Sequence, residues 1–279
     1  MSTPRVLTTG ISFGESPRWH DGRLWFCDWA ARTLHALDLD GVSEVIATVE
    51  SFPFCIDFLP DGRLLVMHSA DQKLLRREFD GTFVTCADLG GMSEHPWNEV
   101  ATDSRGNAFV NLGFDFAGGE PAPGFIVVVT PDGEIRQVAD GVMFPNGMAV
   151  TPDDSTLIVA ESYGNCLTAF DIGADATLAN RRVWAPLGDG HPDGICLDAE
   201  GAVWYADVGE QHCVRVAEGG EILQTIPLDR GGFSCALGGP DLRQLFIVAT
   251  VWDPTNIGVG EPTGQIQVVD VEVPGVSRP

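Results

Sequence analysis

Pro192-Asp193-Gly194-Ile195-Cys196-Leu197-Asp198-Ala199-Glu200-Gly201, followed by Val203-Trp204-Tyr205, carries the pattern that decides the fold. A polar start gives way to a short apolar stretch. The turn Asp198-Ala199-Glu200-Gly201 then leads into a β-branched and aromatic run. Aspartate and glycine supply the turn chemistry and the flanking runs favour pleated strands, so the segment reads as two antiparallel strands joined tightly.

The same scheme recurs in both directions along the chain. Its other turns fall at His20-Asp21-Gly22, Pro60-Asp61-Gly62, Asp103-Ser104-Arg105-Gly106, Pro152-Asp153-Asp154 and Gly239-Pro240-Asp241. The runs that follow them are Leu24-Trp25-Phe26, Leu64-Leu65-Val66, Ala108-Phe109-Val110, Leu157-Ile158-Val159 and Leu245-Phe246-Ile247. Third strands follow in most copies, as in Thr33–Asp38, Phe125–Val129, Cys166–Phe170 and Gln265–Val269. The period of about 40 to 48 residues matches a four-stranded propeller blade. A β-sandwich would also use short turns without helices, but it has no reason to repeat six times. Blades do, because each sheet buries its faces only against its neighbours until the ring closes. The expectation is an all-β, six-bladed β-propeller of antiparallel four-stranded blades around a central channel, forming a single domain over 1–279.

Composition is consistent with this. Gly 33 and Pro 18 imply many turns, and the 44% hydrophobic share allows a sizeable core. A formal charge of −24 repels phosphate backbones and anionic lipid, which argues against nucleic-acid and membrane partners. The seven cysteines form no C-x-x-C pair and are expected as buried thiols in a reducing compartment. Met1–Gly10 lacks the apolar run of a signal peptide, so the cytoplasm is expected. A closed ring leaves no long free sheet edge, which predicts a monomer.

Counting back seven or eight residues from each turn reaches the start of each innermost strand. The positions are Glu15, Phe54, Asn98, Asn146, Asp193 and approximately Ser234. Five of the six bear side-chain oxygen. Taken singly, Asn146-Gly147 and Asp193-Gly194 read as turn formers. Their registration with Glu15 and Asn98 across blades favours a site instead. Two carboxylates and two amides converging in a narrow channel repel and desolvate one another unless a cation compensates. Hard oxygen donors suit Ca²⁺, Mg²⁺ or Mn²⁺ first, with Zn²⁺ or Fe²⁺ as alternatives.

At these residues the chain resembles the senescence marker protein, gluconolactonase and luciferin-regenerating enzyme family, which includes regucalcin. The resemblance rests on Gly14-Glu15-Ser16-Pro17-x-Trp19, Asn98-Glu99 ahead of Asp103, Pro145-Asn146-Gly147, and Pro192–Gly201. Asn180-Arg181-Arg182 and Ser234–Gly239 add to it. It implies a six-bladed propeller, one divalent metal ion on Glu15, Asn146 and Asp193, and Asn98 touching substrate. Characterised members commonly hydrolyse lactones. On that chemistry Asp193 is expected to act as general base, and Asn98 to donate to the carbonyl oxygen.

One departure bears on substrate. Sugar-lactone hydrolases of the family usually carry Arg-Phe-Asn-Asp where this chain has Pro96-Trp97-Asn98-Glu99. Loss of the guanidinium weakens the grip on a polyhydroxylated substrate. Trp97 is expected to contact substrate, and Phe52, Phe54, Phe114, Phe116 and Trp252 to make the mouth apolar, which points to a lactone or ester less polar than a sugar lactone. The alternatives on the same site are another metal-dependent esterase, phosphotriesterase, lyase or isomerase, or a metal- or ligand-binding propeller without turnover. His95, His191 and His212 are left outside the catalytic set, and no G-x-S-x-G elbow is present for a serine hydrolase.

Overall fold

The structure, a computed structural model, describes residues 3–112, 123–253, 255 and 259–276. The first strand, β1 (Arg5–Ile11), precedes a regular succession of hairpins. Blade one is β2 (Gly14–His20), β3 (Arg23–Asp28), β4 (Thr33–Leu37) and β5 (Ser43–Thr48). Blade two is β6 (Phe54–Phe58), β7 (Leu64–His68), β8 (Lys73–Arg77) and β9 (Phe83–Asp88). Blade three is β10 (Trp97–Thr102), β11 (Ala108–Leu112), β12 (Pro123–Val129) and β13 (Ile135–Met143). Blade four is β14 (Pro145–Val150), β15 (Thr156–Glu161), β16 (Cys166–Ile172) and β17 (Leu178–Pro186). Blade five is β18 (Pro192–Leu197), β19 (Val203–Asp207), β20 (His212–Val216) and β21 (Ile222–Pro227). Blade six is β22 (Gly231–Gly238), β23 (Gln244–Thr250) and β24 (Gly264–Asp270), completed by β1. All six sheets are four-stranded and antiparallel, and among the described residues there is no helix.

Each expected turn joins an innermost strand to the second strand of its blade. Asp21 and Gly22 both have positive φ, 48° and 73°, the conformation that tight hairpins require. The apolar runs behind the turns are the second strands, and β7, β11 and β19 are buried along their whole length because neighbouring blades cover both faces. Outermost strands such as β5 and β21 are largely exposed.

The core is divided. Six apolar clusters are found among the described residues, one at each blade interface. Closure comes from the chain's start: β1 pairs with β24, from Arg5 opposite Val268 to Ile11 opposite Gly264. The innermost strands β2, β6, β10, β14, β18 and β22 contact one another in order, and β22 returns to β2. They surround the channel and begin at a common end.

Candidate active site

Each innermost strand hydrogen-bonds to the strand behind it, and a regular pairing would alternate its side chains between the two faces. In five of the six blades the register is broken where the strand begins. The irregularity lies between Glu15 and Arg18, Trp97 and Glu99, Pro145 and Met148, Pro192 and Ile195, and Gly232 and Ser234. In each case the innermost strand carries one residue more than its partner, which is a β-bulge and redirects the side chains at that point. These are the blades of Glu15, Asn98, Asn146, Asp193 and Ser234. Blade two, where the equivalent residue is the apolar Phe54, pairs β6 with β7 without interruption.

The bulges bring the polar side chains together at one end of the channel. The side chain of Asn146 lies beside the Asp193 carboxylate and favours its charged form. Asn98 donates from Nδ2 to the backbone oxygen of Pro145 at 3.3 Å, joining blades three and four. The backbone carbonyl of Asn146 accepts from Asn111 Nδ2 at 2.6 Å, and its Nδ2 donates to Ser162 Oγ at 3.4 Å. Ser162 in turn donates to the Pro192 carbonyl at 2.7 Å, so blades four and five are tied beside both ligand candidates.

The glycines behind the ring have a spatial reason. Gly147 and Gly194 lie inside β14 and β18 without positive φ, so they are not turn formers. An ideal Cβ on Gly147 would stand 2.6 Å from the backbone nitrogen of Ile195, and one on Gly194 would overlap the Ser234 side chain. Adjacent innermost strands therefore approach closely at these two points.

Glu15 is 7% exposed and Asp193 is partly exposed. Burial raises the Glu15 pKa well above the carboxylate range, and the charge of Asp193 raises it further, with Arg18 opposing only weakly. Burial likewise raises Asp193, against the effect of the Asn146 side chain and with the charges of Asp207 and Glu99. Arg18 is engaged deeper in the channel. It donates to Glu99 Oε1 at 3.0 Å, to Asp57 Oδ1 at 3.3 Å and to the Val100 carbonyl at 2.9 Å, linking blades one to three beneath the ring. The ring thus concentrates two carboxylates and two amide side chains with little compensating positive charge. Among the described residues no three His, Cys, Asp or Glu side chains are grouped to hold a metal ion. A donor set of Glu15, Asp193 and the Asn146 amide oxygen is of another kind. Its oxygen-only chemistry and its mutual repulsion fit a hard divalent cation.

Trp97 requires a correction. It is 0% exposed and packs among Cys55, Leu65, Met67, Val100 and Val110 between blades two and three, edge-on to Phe125. At the bulge that carries them Trp97 packs toward blade two while the Asn98 amide reaches the Pro145 carbonyl of blade four, so the two sequence neighbours face different ways. Phe54 is likewise wholly buried, whereas Phe114 and Phe116 lie outside the described residues. Of the expected aromatic residues, Trp252 does present aromatic surface at this end. Trp252 is 42% exposed and packs against Phe13 and Phe233, which stand just before Glu15 and Ser234. With Ser12, Thr250 and Val259–Thr263, Trp252 and Phe13 border a cavity of 190 Å³ that contains no ring residue. A larger cavity, of 480 Å³, opens at the other end of the channel around Trp19, Phe58, Leu197 and Leu237 and contains no ring residue.

The model of the SMP-30/gluconolactonase/LRE-like region matches residues 13–251. The chain belongs to this family. A pentonolactonase of Haloferax volcanii is 29% identical over 99% of this chain and 96% of its own. The 6-deoxy-6-sulfogluconolactonase of Pseudomonas putida is 24% identical over 95% and 94%. Among solved structures, luciferin-regenerating enzyme superimposes with a TM-score of 0.84 at 20% identity, covering 99% of this chain and 98% of that one, which shows the same propeller fold.

Three further residues of this SMP-30 family chain escaped the reading of its sequence. Asp28, Glu161 and Asp207 end the second strands of blades one, four and five and are buried to 4%, 3% and 0% exposure. The available signal was a carboxylate closing an apolar run, as in Phe26-Cys27-Asp28, Val159-Ala160-Glu161 and Tyr205-Ala206-Asp207.

Proposed function

We propose that the protein is a metal-dependent hydrolase that opens a small lactone at the ringed end of the channel. The observation that carries this reading is the convergence of Glu15, Asn146 and Asp193 from three separate blades beside Asn98. Membership in the family and full-length relatives that are lactonases support the choice of substrate class.

Glu15, Asn146 and Asp193 would hold the cation, with Ca²⁺ favoured by the all-oxygen donors and Zn²⁺, Mn²⁺, Mg²⁺ or Fe²⁺ as alternatives. Bound there, a divalent ion supplies Lewis-acid polarisation of a carbonyl and a more acidic water. The chain's own groups do the rest. Asn98 uses one amide hydrogen on the Pro145 carbonyl. Its second is available to the lactone carbonyl oxygen as negative charge develops there. Asp193 accepts the proton of the attacking water while that water's oxygen bonds to the carbonyl carbon. The ring C–O bond then breaks, and the proton passes to the departing alkoxide oxygen to give the hydroxy acid. Trp252, held by the buried Phe13 and Phe233, offers an apolar wall for a substrate face that carries few hydroxyls.

The test is hydrolysis of lactones graded from sugar-derived through alkyl to aromatic, with and without a chelator. The reading expects chelator-sensitive opening of at least one class, restored by added Ca²⁺. Absence of turnover across the whole series, with the cation present, contradicts it.

A further inference from the structure

The residue paired with the first position of each innermost strand, which is the last residue of the second strand, differs from blade to blade in an informative way. Gly14 pairs with Asp28, Pro145 with Glu161 and Pro192 with Asp207. In the other blades Phe54 pairs with His68, Trp97 with Leu112 and Gly231 with Thr250. A carboxylate occurs at this position in the three blades that carry Glu15, Asn146 and Asp193, and in none of the others.

The three carboxylates perform one task. Asp28 accepts the backbone N–H groups of Ser12 and Phe13 at 2.8 and 3.0 Å, and that of Ala31 at 3.1 Å. Glu161 accepts the N–H of Met143 at 2.6 Å, while its other oxygen accepts from Arg181 at 2.9 Å and from Thr168. Asp207 accepts the N–H of His191 at 2.7 Å and that of Glu210 at 3.1 Å. Both oxygens are engaged in each case, so each carboxylate is fixed in one orientation. The clamped N–H lies two residues before Glu15, three before Asn146 and two before Asp193. Pro145 and Pro192 stiffen two of the three short connections. Blade two lacks the arrangement: His68 Nδ1 accepts from its own loop at Asp71.

We propose that Asp28, Glu161 and Asp207 are positioning residues that hold the entry to each ligand-bearing strand and so fix the oxygens of Glu15, Asn146 and Asp193 for one divalent cation. The proposal rests on the metal-site reading above and deepens it: the same position in the repeat separates the three ligand blades from the three that supply none. Outer partners that orient ligands govern metal affinity by about 10- to 100-fold when removed.

The test is calorimetric titration of the full chain with CaCl₂. Asp28→Asn, Glu161→Gln and Asp207→Asn each place an amide N–H₂ against a backbone donor and are expected to weaken Kd by about 10- to 100-fold. Glu161→Asp keeps the charge but shortens the reach, and is expected to weaken Kd as well, which separates positioning from charge alone. His68→Asn, at the equivalent place in a blade without a ligand, is expected to bind as the parent does. Circular dichroism melts of the calcium-free variants are recorded alongside. If the variants melt earlier but bind calcium with the parent's Kd, the three residues are structural only and the proposal is overturned. Should Asp207→Asn not fold, Asp28→Asn and the two Glu161 variants decide. A parent chain that binds no calcium contradicts the metal site itself, and is thereby distinguished from failure of the clamp.

Discussion

Gly147 in blade four faces the backbone nitrogen of Ile195 in blade five so closely that a Cβ there would stand 2.6 Å away, with the Asp193 carbonyl oxygen at 2.7 Å. The obstructing atoms are main chain and cannot rotate aside. Gly147→Ala must therefore push β14 away from β18 and separate Asn146 from Asp193. The expected cost is about 1–3 kcal/mol in denaturant unfolding, together with weaker cation binding. Unaltered stability and calcium affinity would show that the spacing of the two strands is unimportant.

Arg18 holds the first three blades together through Glu99 and Asp57, with side-chain exposures of 18%, 7% and 5%. Arg18→Met removes the one guanidinium that Asp57 and Glu99 share, leaving their charge uncompensated there. A loss of about 3–5 kcal/mol is expected from urea unfolding, because an unpaired buried charge costs more than the pair contributes. A loss below about 1 kcal/mol would place this network among ordinary surface pairs.

Trp97 is expected to matter for stability and not for substrate choice. Its indole fills the interface of blades two and three, so Trp97→Ala opens a cavity there at a cost of about 3–5 kcal/mol. The order of preference among lactones measured on the folded variant should match the parent's. A reordered preference with little loss of stability would return Trp97 to the substrate pocket.

The pH dependence follows from the raised carboxyl groups. Burial holds Glu15, Asp193 and Glu99 above their ordinary range in the cation-free fold. Their contribution to stability is thus complete below about pH 4, where folded and unfolded forms are both protonated, and is lost as pH rises through the folded pKa values. His20 and His35, lowered by burial, act in the opposite sense nearer neutrality. The carboxyl part is therefore read as the difference between the parent and a Glu15→Gln, Asp193→Asn double variant. Calcium displaces those protons, so its stabilising shift in Tm should be larger at about pH 8 than at about pH 5. An equal shift at both would exclude the two carboxylates as ligands.

Much of this architecture was legible because blades are written locally. Turns rich in Asp, Gly and Pro and the apolar runs behind them mark the first two strands of every blade, as in Asp198–Gly201 ahead of Val203. Outer strands such as Ile222–Pro227 face solvent on a long edge and carry no apolar period, and pairing of Arg5–Ile11 with Gly264–Asp270 joins opposite ends of the chain. Neither leaves a local trace. The ring was readable by counting between repeats, but its bulges were not, since an extra residue shows only against a partner strand. Trp97 adjoins Asn98 in sequence yet packs toward blade two while Asn98 reaches blade four, a divergence at a bulge that the sequence does not mark. Asp28, Glu161 and Asp207 were visible as acids ending apolar runs; their meaning depends on backbone N–H groups 15 to 18 positions earlier.

The most direct test of the metal-centred account is anomalous diffraction from crystals of the full chain grown with Ca²⁺. The account predicts one strong peak at the ringed end of the channel, with oxygens of Glu15, Asn146 and Asp193 all within about 2.3–2.6 Å of it. A peak located away from these three side chains, or none at saturating calcium, would contradict it.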